Sequence, residues 1–373
     1  MKRVSDPARC RLLLLSVGSL VGTALLECID ALGRDRFELI GLNSVADAVN
    51  NFRTDVCYLS PPASDRPALL ALLDRVVGEH DPDLIIPTRD DDVVALAHWA
   101  AGRDRARALV GCAPMAEVIR DKWASCAWAA RKGLPFARSA IDAAGIARLR
   151  DEVGYPLFAK PRDGFGSNGV RLLLSDAHLE ATLEMGNQIV QEPIDAPPTL
   201  TPEALRGGMP LWFAPVQPGS PLGISLLDDE GCRFLAAWQS GHVRGAAVDT
   251  VLLADPALER LTTDYAEAAW QDGWRGLLSV QARRSTSGQY VPIELAGRFM
   301  GGTNALHKLG VPVVTIVLRH FIPSFRTDAT STPLFDARAV KQVSTFVVRG
   351  DQVKALRTAG IWQRGVTAPD RCA

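Results

Sequence analysis

The sequence contains no CxxC pair. Its seven cysteines, at positions 10, 28, 57, 112, 126, 232 and 372, are scattered and odd in number. Neither a structural zinc nor a disulfide framework is expected, and the thiols read as small core residues kept reduced in a cytosol. There is no excess of charge of either sign: Lys plus Arg number 41 against 42 for Asp plus Glu, a net charge of -1. Such a chain has no broad field to attract a polyanion, so no nucleic-acid partner is expected. Long apolar runs are missing too. Leu12 to Val17, behind Lys2, Arg3, Arg9 and Arg11, loosely imitates the front of a signal peptide, but the run breaks at Gly18 and Gly22 and continues into an amphipathic pattern carrying Glu27 and Asp30. It offers no small-residue cleavage site. Nothing approaches the roughly 18 apolar residues of a membrane helix, and the reading is a cytoplasmic protein with no membrane partner. Internal repeats at periods of roughly 20 to 50 residues are absent. So is any convincing Ser-His-Asp or Cys-His arrangement, which points away from chemistry that needs a side-chain nucleophile.

What is present is an ordinary folded composition, 47% hydrophobic and 22% charged over 373 residues, long enough for two or three packed units. The first hundred residues alternate strand-like and helix-like stretches. Arg11 to Val17 reads as a strand, Leu20 to Leu32 as a helix and Phe37 to Leu42 as a strand. Pro67 to Glu79 reads as a helix, Asp83 to Pro87 as a buried strand and Val93 to Ala101 as a helix. This is the rhythm of a doubly wound parallel sheet. In such sheets the loops after the strands line the ligand crevice, which draws attention to Ser16 to Gly22, Asn43 and Thr88 to Asp92. The bland readings weigh as much: Gly18 and Gly22 allow tight strand-to-helix packing, and the three aspartates cap the next helix. A nicotinamide-dependent dehydrogenase is disfavoured, because SVGSLVG lacks the full glycine fingerprint and no acidic residue ends the second strand.

From about residue 114 the texture changes. Ala116 to Lys132 reads as one amphipathic helix, Gly133 to Ser139 as a turn and strand, and Asp176 to Met185 as a helix. Between Ile194 and Leu222 lies a Pro- and Gly-rich insert, of the kind that forms lids and binding loops. Strands are expected at Gly223 to Leu227, Arg233 to Trp238, Leu277 to Arg283 and Tyr290 to Glu294, with a helix from Pro256 to Asp272 between them. After Pro312 the chain reads as helical to about His320. The last fifty residues give only a weak strand at Val340 to Val348, and Gln363 to Ala373 reads as a disordered tail.

The most informative stretch is GYPLFAKPRDGFGSNGVRLL, Gly154 to Leu173. A strand ends in Lys160, a loop follows with Gly164, Gly166, Ser167 and Gly169, and a second strand, Val170 to Leu174, returns. Glycines let backbone amides approach phosphate oxygens while the lysine sets a full positive charge beside them. The order is not that of a Walker loop, where the lysine follows the glycines and a helix comes next. The alternative is a merely flexible turn.

Further on, Gln191 and Glu192 end the apolar strand Ile189 to Ile194. An adenine ring wants an apolar slot, an acceptor for its amino group and a backbone donor, though a Glu at a strand end is commonly just solvated. The third piece is Leu277 to Ala305, a hairpin turning near Ser287 and Gly288. Gln281 and Glu294 could sit side by side across it. A hard cation such as Mg²⁺ takes oxygen ligands from one or two carboxylates plus substrate phosphates. Glu294, flanked by Ile293 and Leu295, needs a partner if buried, and a metal or Arg298 would serve.

Taken in order, these pieces resemble the ATP-grasp superfamily, in particular its carboxylate–amine ligases and carbamoyl-phosphate-synthase-like members. The resemblance runs from about Arg11 to Gly310 and includes Asp121 to Ser139, the Lys160 strand with its glycine loop, the Gln191-Glu192 hinge, and the E-x-x-x-R-F-x-G-G stretch ending in Gly301 to Thr303. It implies an α/β chain: an N-terminal Rossmann-like parallel sheet followed by a two-lobed α+β ATP-grasp domain. The implied limits are 1–113 for the first domain, 114–195 for a linker helix and lid subdomain, 196–330 for the core with its insert at 195–221, and 331–373 for a C-terminal extension. By resemblance Lys122 is a nucleotide-binding lysine and Lys160 contacts the α and β phosphates. Gly164, Gly166, Ser167 and Gly169 form the lid over the γ phosphate, and Gln191, Glu192 and Ile194 frame the adenine. Gln281 and Glu294 hold magnesium, and Arg298 stabilises charge on the transferring phosphoryl group. For Lys122 the plain alternative is a solvated helix lysine.

The chain departs from the family at one ligand: Glu-x-Asn-x-Arg is replaced by Glu294-Leu295-Ala296-Gly297-Arg298. Ala296 cannot ligate a metal, so a second ion loses an oxygen unless Asn304 or water replaces it. No acidic residue in Leu222 to Leu227 stands where ribose is often held. The expectation is a Mg²⁺- and ATP-dependent ligase that forms an acyl phosphate from a small carboxylate substrate and passes it to an amine; the resemblance allows a homodimer, the state common in the family. The alternative is a degenerate nucleotide-binding protein with a sensing or subunit role.

Overall fold

The computed structural model describes residues 9–103, 107–164, 166, 168–194, 219–243, 246–328, 331–342 and 346–364. The chain packs as two units: Met1–Ala113, Arg298–Leu334 and Lys341–Ala373 form one, and Pro114–Gly297 with Phe335–Val340 the other.

The first unit opens with β1 (Cys10–Leu14), α1 (Leu20–Ala31), β2 (Phe37–Asn43), β3 (Val56–Leu59), α2 (Arg66–His80), β4 (Leu84–Ile86) and α3 (Asp90–Ala100). β1 pairs in parallel with both β2 and β4, and β2 in parallel with β3. Leu12, Leu13 and Leu14 are wholly buried, as a near-continuous apolar strand inside a parallel sheet should be. The glycine turn after β1 has a packing cause. A Cβ at Gly22 would meet the Val17 carbonyl oxygen at 2.1 Å, and one at Gly18 would meet Asn43 Nδ2 at 2.4 Å.

The second unit begins with α4 (Ala113–Arg120) and α5 (Lys122–Arg131). The single helix expected over Ala116 to Lys132 is therefore two. Asp121 breaks it, because its carboxylate accepts from the amides of Trp123 and Ala124 and caps α5, while the Lys122 amide turns outward to the carbonyl of Arg162 at 3.0 Å. There follow β5 (Ser139–Ala140), α6 (Ala143–Val153), β6 (Leu157–Pro161), β7 (Arg171–Leu173), α7 (Asp176–Leu183) and β8 (Gln188–Gln191). These strands form an antiparallel sheet in the order β5-β8-β6-β7. Ile146, Leu149, Leu157, Ala159, Leu173, Leu179 and Val190 make its core.

β9 (Pro221–Leu227), β10 (Cys232–Val243), β11 (Ala246–Leu253), α8 (Pro256–Gln271), β12 (Gly276–Arg284) and β13 (Tyr290–Ala296) come next. α8 lies on the β9 side that carries Gly223, where a Cβ would sit 1.9 Å from Thr262 Oγ1. The insert read at 195–221 falls largely outside the described residues, and Pro221 already opens β9.

The chain then returns to the first unit with α9 (Thr303–Lys308) and α10 (Val313–Phe321), and gives β14 (Arg338–Val340) to the second unit's six-stranded antiparallel sheet, ordered β13-β12-β9-β10-β11-β14. The C-terminal stretch holds more structure than the weak strand expected at Val340 to Val348. α11 (Gly350–Ala359) and β15 (Ile361–Gln363) are both formed, and β15 pairs antiparallel with β3, so Gln363 is strand rather than tail. Residues 365–373 lie outside the described part. Among the described residues no helix is long and apolar enough to cross a membrane.

Candidate active site

The second unit contains a cleft with about 740 Å³ of open space including its mouth, lined by Lys122, Phe158, Lys160, Pro161, Gly164, Asn168, Val170, Gln191, Glu192, Ile194, Ser220, Gln281, Arg283, Ile293 and Glu294. Eight residues singled out from sequence meet here: Lys122, Lys160, Gly164, Gln191, Glu192, Ile194, Gln281 and Glu294. Gly166 and Gly169 belong to the same glycine loop without forming the cleft wall, and Ser167 lies outside the described residues.

Lys122 opens α5 and is only 5% exposed, so the solvated-lysine reading is excluded. Its Nζ donates to the Gly164 carbonyl at 2.6 Å and stands 3.3 Å from Glu294 Oε1. One ammonium thus joins the glycine loop to the metal-type carboxylate. The foot of the loop is further strapped by Arg162, which pairs with Asp121, and by the Arg162 amide on the Asn187 carbonyl at 3.0 Å. Gly169 needs to be glycine twice over: its φ is +74°, and a Cβ would press on Pro161 Cγ at 2.8 Å.

Lys160, the penultimate residue of β6, has its Nζ 3.1 Å from the Ile293 carbonyl oxygen. Burial pulls its ammonium down to about 8, with Glu294 opposing that shift and Lys122 and Arg283 adding to it.

Gln281 and Glu294 are directly opposed across the β12–β13 ladder, as the hairpin reading required. A carboxylate and an amide oxygen side by side suit a hard cation, with substrate phosphate oxygens completing its shell. Among the described residues no group of three or more His, Cys, Asp and Glu is arranged to hold a metal, so a cation here would depend on its substrate. Ala296, 6% exposed, stands opposite Ser279 on the same face and offers it no oxygen.

The hinge differs in detail from the sequence reading. Glu192 does not aim a free carboxylate at a base: Oε1 accepts from the Arg138 amide at 2.8 Å and Oε2 from Arg138 Nε at 2.7 Å. Gln191, 3% exposed, gives its Nε2 to Ser139 Oγ at 3.0 Å. The amide is thereby oriented with its nitrogen committed, which leaves its oxygen as the accepting end.

Arg298 belongs to the first unit, where Nη2 bonds Asp90 Oδ2 at 2.7 Å. Asn304 also belongs there and donates from Nδ2 to Glu27 at 2.6 Å. At the first unit's strand ends the polar side chains bond to protein groups. Ser16 Oγ donates to Asp92 at 2.8 Å, Thr88 Oγ1 to the Leu15 carbonyl at 2.7 Å, and Asn43 Nδ2 to Asn51 at 2.8 Å. The aspartate run is thus partly a cap, since Asp92 accepts from the Arg89 and Thr88 amides.

Sequence reasoning missed Phe158, Pro161, Asn168, Val170, Ser220, Arg283 and Ile293. Strand alternation would have found Arg283, two residues beyond Gln281 on one strand and so on one face. Nothing local announces Arg138 as the partner of Glu192.

No protein-family model matches the sequence, and no curated relative is found. Solved structures do match in fold. The N5-carboxyaminoimidazole synthetase from Staphylococcus aureus complexed with ADP superposes with a TM-score of 0.64 at 11% identity, over 90% of this chain and 82% of that one. The L-amino acid ligase from Bacillus licheniformis gives 0.61 at 15% identity, over 85% and 75%. The biotin carboxylase domain of the Hydrogenobacter thermophilus 2-oxoglutarate carboxylase, in complex with MgADP and bicarbonate, gives 0.61 at 14%, over 86% and 71%. At such identities the likeness establishes a fold shared with these three structures.

Proposed function

We propose that this chain, built on the ATP-grasp fold, is a magnesium-dependent ligase that spends ATP to activate a carboxylate as an acyl phosphate and hands the acyl group to an amine. The reading is carried by one observation: Lys122, Lys160, Gln281 and Glu294 converge in a single cleft that also holds the hinge residues Gln191, Glu192 and Ile194. In this reading the parallel sheet of the first unit is the Rossmann-like domain that precedes the grasp, and the protein works in the cytoplasm on small molecules.

The substrate's carboxylate oxygen attacks the γ phosphorus, whose bond to the bridging oxygen breaks to release ADP. The amine nitrogen then attacks the acyl carbon, phosphate leaves with the carbon–oxygen electron pair, and the nitrogen gives up a proton. Lys160, fixed by the Ile293 carbonyl, meets the α and β phosphates. Lys122, already on the Gly164 carbonyl, holds the glycine loop over the γ phosphate. Gln281 and Glu294 would hold the metal, which would supply charge neutralisation to the phosphate oxygens. This chemistry rests on positioning and charge rather than on a protein nucleophile.

Ala296 favours one second reading, a nucleotide-binding protein without turnover that senses or serves another subunit. Calorimetric titration with a non-hydrolysable ATP analogue, with and without Mg²⁺, followed by phosphate release across amino-acid pairs, separates the two. Metal-dependent binding with phosphate release on some pair supports the ligase. Binding with no release on any carboxylate and amine moves the conclusion to the sensor, and no binding overturns both.

A further inference from the structure

Two ammonium groups repel, yet Lys122 and Lys160 share one cleft, and the charge of Lys122 weighs on Lys160. They come from different elements, Lys122 from the start of α5 and Lys160 from β6. Their spacing is therefore set by whatever joins those two elements, and a charge counts for more when it is held in place before the ligand arrives.

The joint is Arg162, two residues beyond Lys160 and outside the cleft wall. Its amide donates to the Asn187 carbonyl at 3.0 Å, which carries the β6–β8 ladder one bond past Pro161 and Gln188. Its carbonyl accepts from the Lys122 amide at 3.0 Å. The side chain closes the same joint a second time: Nε donates to Asp121 Oδ1 at 3.1 Å, and Nη2 donates to Asp121 Oδ2. This is the two-point fork that a guanidinium makes with a carboxylate and an ammonium cannot. Asp121 also caps α5, its Oδ1 accepting from the amides of Trp123 and Ala124, so the fork grips the helix end at the residue next to Lys122. From the other side Asn187 Nδ2 donates to Asp163 Oδ1 at 2.8 Å. The next residue is Gly164, whose carbonyl takes the Lys122 ammonium.

We infer that Arg162 is a positioning residue for the phosphate end of the cleft: through Asp121 it fixes Lys122 against Gly164 and at a set distance from Lys160, without touching the ligand itself. This role presupposes the nucleotide reading and adds to it a residue that acts through another. A lysine side chain free to wander has to be ordered when phosphates bind, and loss of the fork should bring that cost back, about tenfold in affinity. The loss should be felt only while Lys122 is there to be placed.

The experiment is a double-mutant cycle. A non-hydrolysable ATP analogue is titrated calorimetrically, with Mg²⁺, into the full chain and into Lys122→Met, Arg162→Met and the double variant, with urea unfolding of each. Each single change should lower affinity by about tenfold. In the Lys122→Met background, Arg162→Met should change affinity by less than about twofold. A joint that merely stabilised the loop would cost the same in both backgrounds. Asp121→Asn still caps α5 but gives the guanidinium an uncharged partner, and Arg162→Lys offers a single donor point in place of the fork. Both should lower affinity by a smaller factor, and both carry the same cycle if Arg162→Met does not fold. Equal losses with and without Lys122, or wild-type affinity in either Lys122→Met or Arg162→Met, overturn the positioning role while leaving nucleotide binding intact. If the full chain does not bind the analogue, the nucleotide reading falls and the role falls with it.

Discussion

The ammonium nitrogen of Lys160 lies 3.1 Å from the carbonyl oxygen of Ile293, a bond between the two sheets of the second unit that depends on an irregularity. On β12 and β13 Gln281 is opposite Glu294, yet the next pair is Ala282 with Pro292, so Ile293 is one residue more than the partner strand can match. The extra residue of a bulge is left out of the ladder. Its carbonyl is therefore available to a side chain, and both Ile293 and Glu294, neighbours that strict alternation would send to opposite faces, line the cleft. The bulge seats the lysine beside the carboxylate.

On the proposed function, that seat should make nucleotide binding pH-dependent. Burial holds Lys160 at about 8, so the ammonium loses its proton as pH rises through that value, and phosphate oxygens bind the charged form. ADP affinity should weaken between about pH 7 and pH 9, and binding near pH 8.5 should take up a proton, read as a calorimetric enthalpy that varies with the buffer's ionisation enthalpy. Lys160→Met should cost about tenfold to a hundredfold in affinity at neutral pH and remove the buffer dependence. A folded variant with wild-type affinity would refute the phosphate assignment.

Glu294→Gln should separate metal binding from folding. The side chain is 29% exposed, but its partner Lys122, 3.3 Å away, is buried, so losing the charge should also lower stability, by about 1 to 3 kcal/mol. Binding of Mn²⁺ in the presence of ADP, followed by electron paramagnetic resonance, should fall by about tenfold or more, since a neutral amide is a far poorer ligand for a hard cation. Normal Mn²⁺ occupancy in this variant would remove Glu294 from the metal site.

The parts of the site that sequence made legible are those whose signal is local. Lys160 at a strand end, the glycines after it and the Gln281–Glu294 hairpin each carry their pattern within a few residues. What stayed hidden is set by distant partners. Asp121 looks like a solvent-facing helix residue until Arg162 and the loop beyond β6 draw the chain out of its helix. Glu192 looks like a carboxylate open to a ligand until Arg138 closes on it. α11 has a single fully buried residue among its apolar positions, Leu356, so it shows little periodicity, and β15 is a strand only because β3 offers it an edge.

Ala296 gives a prediction in the direction of gain. It occupies the same face as Glu294, two ladder pairs beyond it and opposite Ser279. Ala296→Asn would set an amide oxygen on that face, and Mn²⁺ affinity in the presence of ADP should rise about threefold to tenfold if only that ligand is missing. The position is 6% exposed, so the larger side chain should also lower stability, by about 1 to 3 kcal/mol. Unchanged metal affinity would mean that another oxygen already fills the place.

Asp92 should give the first unit a stability that rises on mild acidification. The residue is 3% exposed, and burial raises its carboxyl to about 6 despite bonds from Ser16 and the Arg89 and Thr88 amides that favour the anion. A folded-state value above the unfolded one means that the folded chain holds the proton more tightly. The associated stability is complete below the unfolded value near 4 and is lost as pH rises through about 6. Asp92→Asn keeps an oxygen for the two amides and cannot ionise. Between about pH 7.5 and pH 4.5 the wild-type chain should gain on the order of 2 kcal/mol relative to this variant, measured by urea unfolding of each at both pH values. The comparison cancels the other carboxylates, which titrate alike in both chains. If the difference between the two proteins does not change with pH, Asp92 is ionised at no cost in the fold and the Ser16 and amide bonds outweigh its burial.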